Sequence, residues 1–124
     1  MPAKPTKKPK KIKLSAVGLQ YRTTPSVRKY LVQHLPFRVK FVREPENTQD
    51  PNAIAIVVND KGVPYDGMKL GYLRRQVANV WAPEIDAGRL KIHKAYMAEL
   101  DPHEAIGELL IELTAIPKAL QVGP

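Results

Sequence analysis

The chain has 124 residues, 44% of them apolar, and no cysteine. That is enough for one hydrophobic core and not two, and it excludes a disulfide framework or a thiolate metal site. The net charge is +8, no apolar run approaches the roughly 18 residues of a membrane span, and no signal-peptide apolar stretch follows the Lys-rich start, so one cytoplasmic domain without a membrane partner is predicted.

The charge is polarised along the chain. Residues 1–13 carry six Lys and no acid, residues 14–75 ten basic and five acidic groups, and residues 76–124 four and seven. A basic first half and an acidic end suit a polyanion held on one side of the molecule. The same numbers suit a solubilising Lys tail on an ordinary domain, and charge alone leaves both readings open.

Residues 1–11 mix Lys with Pro2, Pro5 and Pro9, which bury no apolar surface and propagate no helix. They are predicted to be a disordered basic arm, suited to phosphate contacts or, in a eukaryote, to a nuclear address. The folded domain is placed at residues 12–120, with a short tail at 121–124.

From Ile12 the alternation of Ile12, Leu14 and Ala16 with Lys13 and Ser15 has the period of a strand with one wet face. Gly18 inside the following VGLQYR predicts a bulge or a close backbone approach. Tyr21 reads either as an edge aromatic with a wet hydroxyl or as a stacking platform for a base. Thr24-Pro25 is a cap followed by a first helical position, so a short helix is predicted to run to Pro36.

Phe37, Val39 and Phe41 alternate with Arg38 and Lys40, as in a half-buried strand. Arg43 falls on the apolar parity, so pairing should end or bulge there. The loop that follows holds Glu46, Asn47, Asp50, Pro51 and Asn52, and Ala53 to Val58 is a continuous apolar, β-branched run suited to a strand buried on both faces. Asp50-Pro51-Asn52 alone is ordinary turn chemistry. Asn59 to Gly62 predicts a hairpin connection with glycine in a left-handed position, and the chain returns through Met68, Leu70 and Tyr72.

Arg74 to Ala82 has helical spacing of Val77, Val80 and Trp81. Trp81 belongs to the core by that spacing. Pro83 predicts the start of a second helix, closed by Gly88. Leu90 to Leu100 and Glu108 to Ile116 complete five or six strands and two or three helices. The fold class is therefore mainly β with short helices (α+β), a small, partly open β-barrel.

The segments VGLQY at Val17–Tyr21, VREPENTQDPNAI at Val42–Ile54 and LGYL at Leu70–Leu73, in this order, resemble the HIRAN domain family from about Val17 to Gly88. The resemblance implies a compact barrel related to the OB fold and a DNA-binding role at the 3′-hydroxyl end of single strands. By position it makes Tyr21 a base-stacking residue, Asn47 a polar contact, Asp50 the acceptor of the terminal hydroxyl, and Arg74 and Arg75 phosphate ligands. Tyr72 is a further stacking candidate. Two members of the set depart from the family: Gln49 stands where a second stacking aromatic is expected, and Gln20 where a phosphate-binding arginine is expected.

The chemistry of such a site is simple. A carboxylate in a basic groove repels an internal phosphate but accepts a hydrogen bond from a free hydroxyl, so it selects strand ends. No catalytic motif, phosphate-binding glycine loop or metal-ligand spacing accompanies it, so neither an enzyme nor a cofactor is predicted. The expected partner of the monomer is single-stranded DNA or a DNA end at a damaged or stalled structure, in the nucleoid of a bacterium or the nucleus of a eukaryote. The alternative is an adaptor that uses a sheet edge or its acidic C-terminal half to recruit a helicase or nuclease.

Overall fold

A computed structural model describes residues 10–114. The strands are β1 (Lys10–Val17), β2 (Phe37–Arg43), β3 (Ile54–Val58), β4 (Lys69–Leu73), β5 (Lys91–Asp101) and β6 (Ile106–Thr114), and the helices are α1 (Leu19–Arg22), α2 (Pro25–Val32) and α3 (Arg75–Asp86). Every strand pairing is antiparallel, and the ring order β1-β4-β3-β2-β5-β6 closes a barrel. The expected barrel is thus more complete than its sequence pattern suggests. Closure comes from β1, which pairs with β6 from Lys10↔Leu113 to Ala16↔Gly107 and with β4 at Ala16↔Leu73 and Val17↔Tyr72.

The inward parity of each strand fills the interior. Ala16, Phe37, Ile54, Ile56, Val58, Leu70, Met97, Leu109, Ile111 and Leu113 are fully buried. All five residues of β3 are buried, as its unbroken apolar run predicts. Trp81 packs in the same core with Ala78 and Ala82. Gly71 marks the tightest approach: a Cβ there would lie 2.4 Å from the Val17 carbonyl oxygen and 3.0 Å from a Leu19 methyl.

Several local expectations are corrected. Gly18 is no bulge within a strand but the N-cap of α1, at φ 78°, and Tyr21 therefore sits on a one-turn helix. Strand β1 begins at Lys10, two residues before the alternation becomes visible, because Lys10 and Lys11 pair with Leu113 and Glu112. The rest of the predicted arm, and the strand and tail predicted past Thr114, lie outside the described residues.

Pro83 starts no second helix. It lies inside α3, where it cannot donate to the Asn79 carbonyl, yet Trp81, Ala82 and Ile85 continue one packed stripe across it. The connection after β3 is longer than a tight hairpin. Asp66 accepts from the Asp60 N–H, Asp60 accepts from the Gly62 N–H, and Gly67, not Gly62, takes the left-handed conformation at φ 89°. Thr24 caps α2 as predicted, accepting from the Val27 N–H at 3.2 Å behind Pro25.

Candidate nucleic-acid interface

The loop between β2 and β3 is ordered by its own side chains. Its base is closed by the Glu44 N–H donating to the Ala53 carbonyl at 3.1 Å. The Asn47 Oδ1 accepts from the N–H groups of Gln49 (3.0 Å) and Asp50 (3.1 Å), and its Nδ2 donates to Glu44 Oε1 (3.1 Å). Asp50 Oδ1 accepts from the Asn52 N–H at 3.0 Å, an Asx turn of the kind the sequence allows. Turn shaping therefore falls to Asn47 and Asp50, while the Asn52 side chain donates across to Asn79 on α3 at 3.4 Å.

Arg43 fixes this loop to the scaffold. Its guanidinium donates to both Asp86 oxygens (2.9 and 3.0 Å), to the Ala53 carbonyl (2.7 Å) and to the Pro51 carbonyl (2.9 Å). Parity shows Arg43 turned inward but not what it reaches, because Asp86 lies 43 residues away. At the other end of α3, Arg75 donates to the Gln49 carbonyl at 3.1 Å and lies 3.6 Å from Asp50 Oδ2. The second oxygen of Asp50 thus faces a cation, while the first holds the turn. Arg74, exposed, is the N-cap of α3, and the first turn of that helix carries no acid. Arginine is locally unfavourable beside the positive end of a helix dipole and becomes favourable when an anion bridges them.

A polar cluster on β4 completes the arrangement. Tyr72 donates to Glu44 Oε1 at 3.0 Å, and accepts from Lys69 and Arg22 at 3.3 Å each. Lys69 is also hydrogen-bonded to Glu44 Oε2, and the cations of Lys69 and Arg22 lie 5.5 and 6.0 Å from the Tyr72 ring centre. Partial burial pushes the Glu44 carboxyl up, but hydrogen bonds from Lys69, Asn47 and Tyr72 outweigh it and hold it below the usual range. The Lys69 ammonium is raised, chiefly by its hydrogen bond to Glu44 and against partial burial.

Direct contacts therefore run Arg22–Tyr72–Glu44–Asn47–Asp50–Arg75 around one part of the barrel. Gln20 and Tyr21 join through α1, Gln49 through the loop and Arg74 through α3. Tyr21 is 82% exposed, the outlier among the aromatic side chains. Tyr72, by contrast, has its hydroxyl engaged and its ring flanked by cations. Sequence reading overlooks Arg22, Arg43, Glu44 and Lys69. The Glu44–Lys69 pair is invisible in one dimension, but Arg22 is signalled by standing next to Tyr21. Among the described residues, no group of three or more His, Asp or Glu side chains gathers to hold a metal ion.

The family model for the HIRAN domain matches residues 10–112. The chain belongs to the HIRAN domain family. Solved structures agree with this HIRAN barrel in fold. The HIRAN domain of human HLTF, from crystallography, has a TM-score of 0.62 at 23% identity, covering 83% of this chain and 74% of that one. A protein from Lactobacillus plantarum gives 0.61 at 22% identity, with 85% and 96% covered. An NMR structure of the HLTF HIRAN domain in its DNA-bound conformation gives 0.56 at 21% identity, with 83% and 73% covered. Comparison of this HIRAN sequence with curated proteins gave no match.

Proposed function

We propose that this HIRAN domain is a DNA-binding module, without catalysis of its own, that takes single-stranded ends bearing a free 3′-hydroxyl. The observation that carries the reading is a carboxylate set against a cation in the loop: Asp50 Oδ2 lies 3.6 Å from Arg75, in the same run of contacts as the Arg22–Tyr72 pair. Cations without the acid would bind any phosphate. The acid makes a terminal phosphate unfavourable and offers a terminal hydroxyl an acceptor. Exposed Tyr21 supplies a face for stacking, about 1 to 3 kcal/mol per base and tolerant of sequence. A relative solved in its DNA-bound conformation supports DNA as the ligand class.

Asp50→Asn is the informative substitution. It keeps an Oδ1 acceptor for the Asn52 N–H and so preserves the turn, while removing the charge and the second acceptor. In fluorescence anisotropy, wild type should bind a 3′-hydroxyl oligonucleotide about tenfold or more tighter than its 3′-phosphate counterpart, the value of one charged hydrogen bond. Asp50→Asn should bring the two together, mainly by improving the phosphate. Equal binding of the two ends by wild type would contradict the reading.

A further inference from the structure

Strands β2 and β5 part company after two residue pairs, Phe37↔Met97 and Arg38↔Tyr96. Continuing that register would set Lys40 opposite Lys94 and Arg43 opposite Lys91, and like charges directly opposite destabilise a ladder. On its far side β5 is also bulged between Ile92 and Lys94 where it pairs with β6, which bends it and disrupts regular pairing. The result is a groove of about 300 Å³ in the barrel wall, lined by Arg38, Val39, Lys40, Phe41, Lys94 and Ala95 among others.

The groove offers two things at once. The first is backbone. Asn59 donates to the Arg38 carbonyl, and Glu44 to the Ala53 carbonyl, so the even residues of β2 turn their main-chain groups to the β3 side. Alternation then turns those of Val39 and Phe41 to the groove, beyond the last β5 pair. The second is charge. Lys40 and Lys94 are exposed and form no ion pair among the described residues, and Arg38 is held over the Tyr96 ring at 5.9 Å. Two acids lie nearby: Asp60 accepts from the Arg38 N–H at the end of the groove, and Glu112 stands opposite Lys94 across the β5–β6 ladder without forming an ion pair with it among the described residues. In the ring order this seam lies three places from the β1–β4 seam beside Tyr72, across the barrel from it.

We propose that the β2–β5 seam docks an extended acidic segment of a partner protein, which adds as a strand along Val39 to Phe41 and sets carboxylates against Lys40 and Lys94. Backbone pairing favours a peptide over a nucleic acid, because a sugar-phosphate chain cannot continue a β-ladder. Its position lets the domain hold this segment and DNA together, and the proposal stands whether or not DNA is the ligand of the other wall.

The probe is a fluorescein-labelled peptide of alternating Glu and Val, used on the full chain. A second peptide of equal charge has Pro at alternate positions, which removes the N–H donors. The alternating peptide should bind and shift the amide resonances of Val39, Phe41 and Lys94. The proline peptide should bind about tenfold or more weakly, and so should the alternating peptide to Lys40→Glu/Lys94→Glu. Lys40→Glu alone sets opposite charges across the seam, so it should slow hydrogen exchange at Phe41, a measurement that stands even if the double variant folds poorly. Equal binding of both peptides, shifts confined to the Tyr21 side, or displacement by single-stranded DNA at Val39 and Phe41 would each overturn the proposal.

Discussion

Arg43→Met takes four hydrogen bonds from a side chain that is 13% exposed, and the structure allows the loss to be apportioned. The Asp86 partner is 53% exposed, so screening limits that pair to about 0.5 to 1 kcal/mol. The Ala53 carbonyl keeps a second donor in the Glu44 N–H, so its lost bond costs about 1 kcal/mol and leaves no orphan. Pro51 is exposed, and water replaces much of what it loses. Methionine retains the packing of the aliphatic stem. The net loss is about 2 kcal/mol, a fall in Tm of roughly 6 to 12 °C for a domain of this size. Urea unfolding reads it directly, because the single Trp81 is buried in the core. Asp86→Asn should cost less than about 1 kcal/mol. A negligible effect of Arg43→Met, or an equal effect of Asp86→Asn, would refute the claim that Arg43 acts by holding the loop carbonyls.

Gly71→Ala would force a methyl group against the Val17 carbonyl, and should destabilise by at least about 2 kcal/mol in the same assay. Tyr21→Ala should leave unfolding unchanged, because the side chain is 82% exposed, while weakening single-stranded DNA binding about tenfold in anisotropy. The folded Glu44 carboxyl titrates below its ordinary range, so its contribution is complete above about pH 4.3 and is lost as pH falls through the lower folded value. Lys69 is the mirror case: its contribution is complete below about pH 10.4 and is lost as pH rises through the higher folded value. Glu44→Gln should therefore flatten the acid limb of a stability–pH profile. Deleting residues 1–9, which carry three Lys and precede β1, should reduce the salt slope of DNA binding by up to about 2 and leave the end preference intact.

The barrel was legible because period-two alternation in β2, β5 and β6 and the apolar run of β3 report burial directly. Closure was not, since it depends on which strands meet across the ring. The helix at Leu19–Arg22 escaped for a local reason: four residues are too few for a 3.6-residue period to show against the preceding strand. Pro83 misled because its backbone penalty is visible in sequence, whereas the core contacts of Trp81 and Ile85 that offset it are not. Within the site, the residue types in the loop were readable but their division of labour was not. Asn47 and Asp50 each shape the turn, and the cations around them come from β2, β4, α1 and α3 rather than from the loop itself. Arg43 stood out only as an inward parity error, the trace that a buried guanidinium leaves in a strand pattern.

The central claim is that Asp50 turns a basic surface into a reader of strand ends. Anisotropy titrations of wild type and Asp50→Asn with one oligonucleotide, ended by a 3′-hydroxyl or a 3′-phosphate, test it most directly. The account predicts about a tenfold or greater preference for the hydroxyl in wild type and little or none in the variant. A preference that survives Asp50→Asn unchanged, or is absent from wild type, contradicts it.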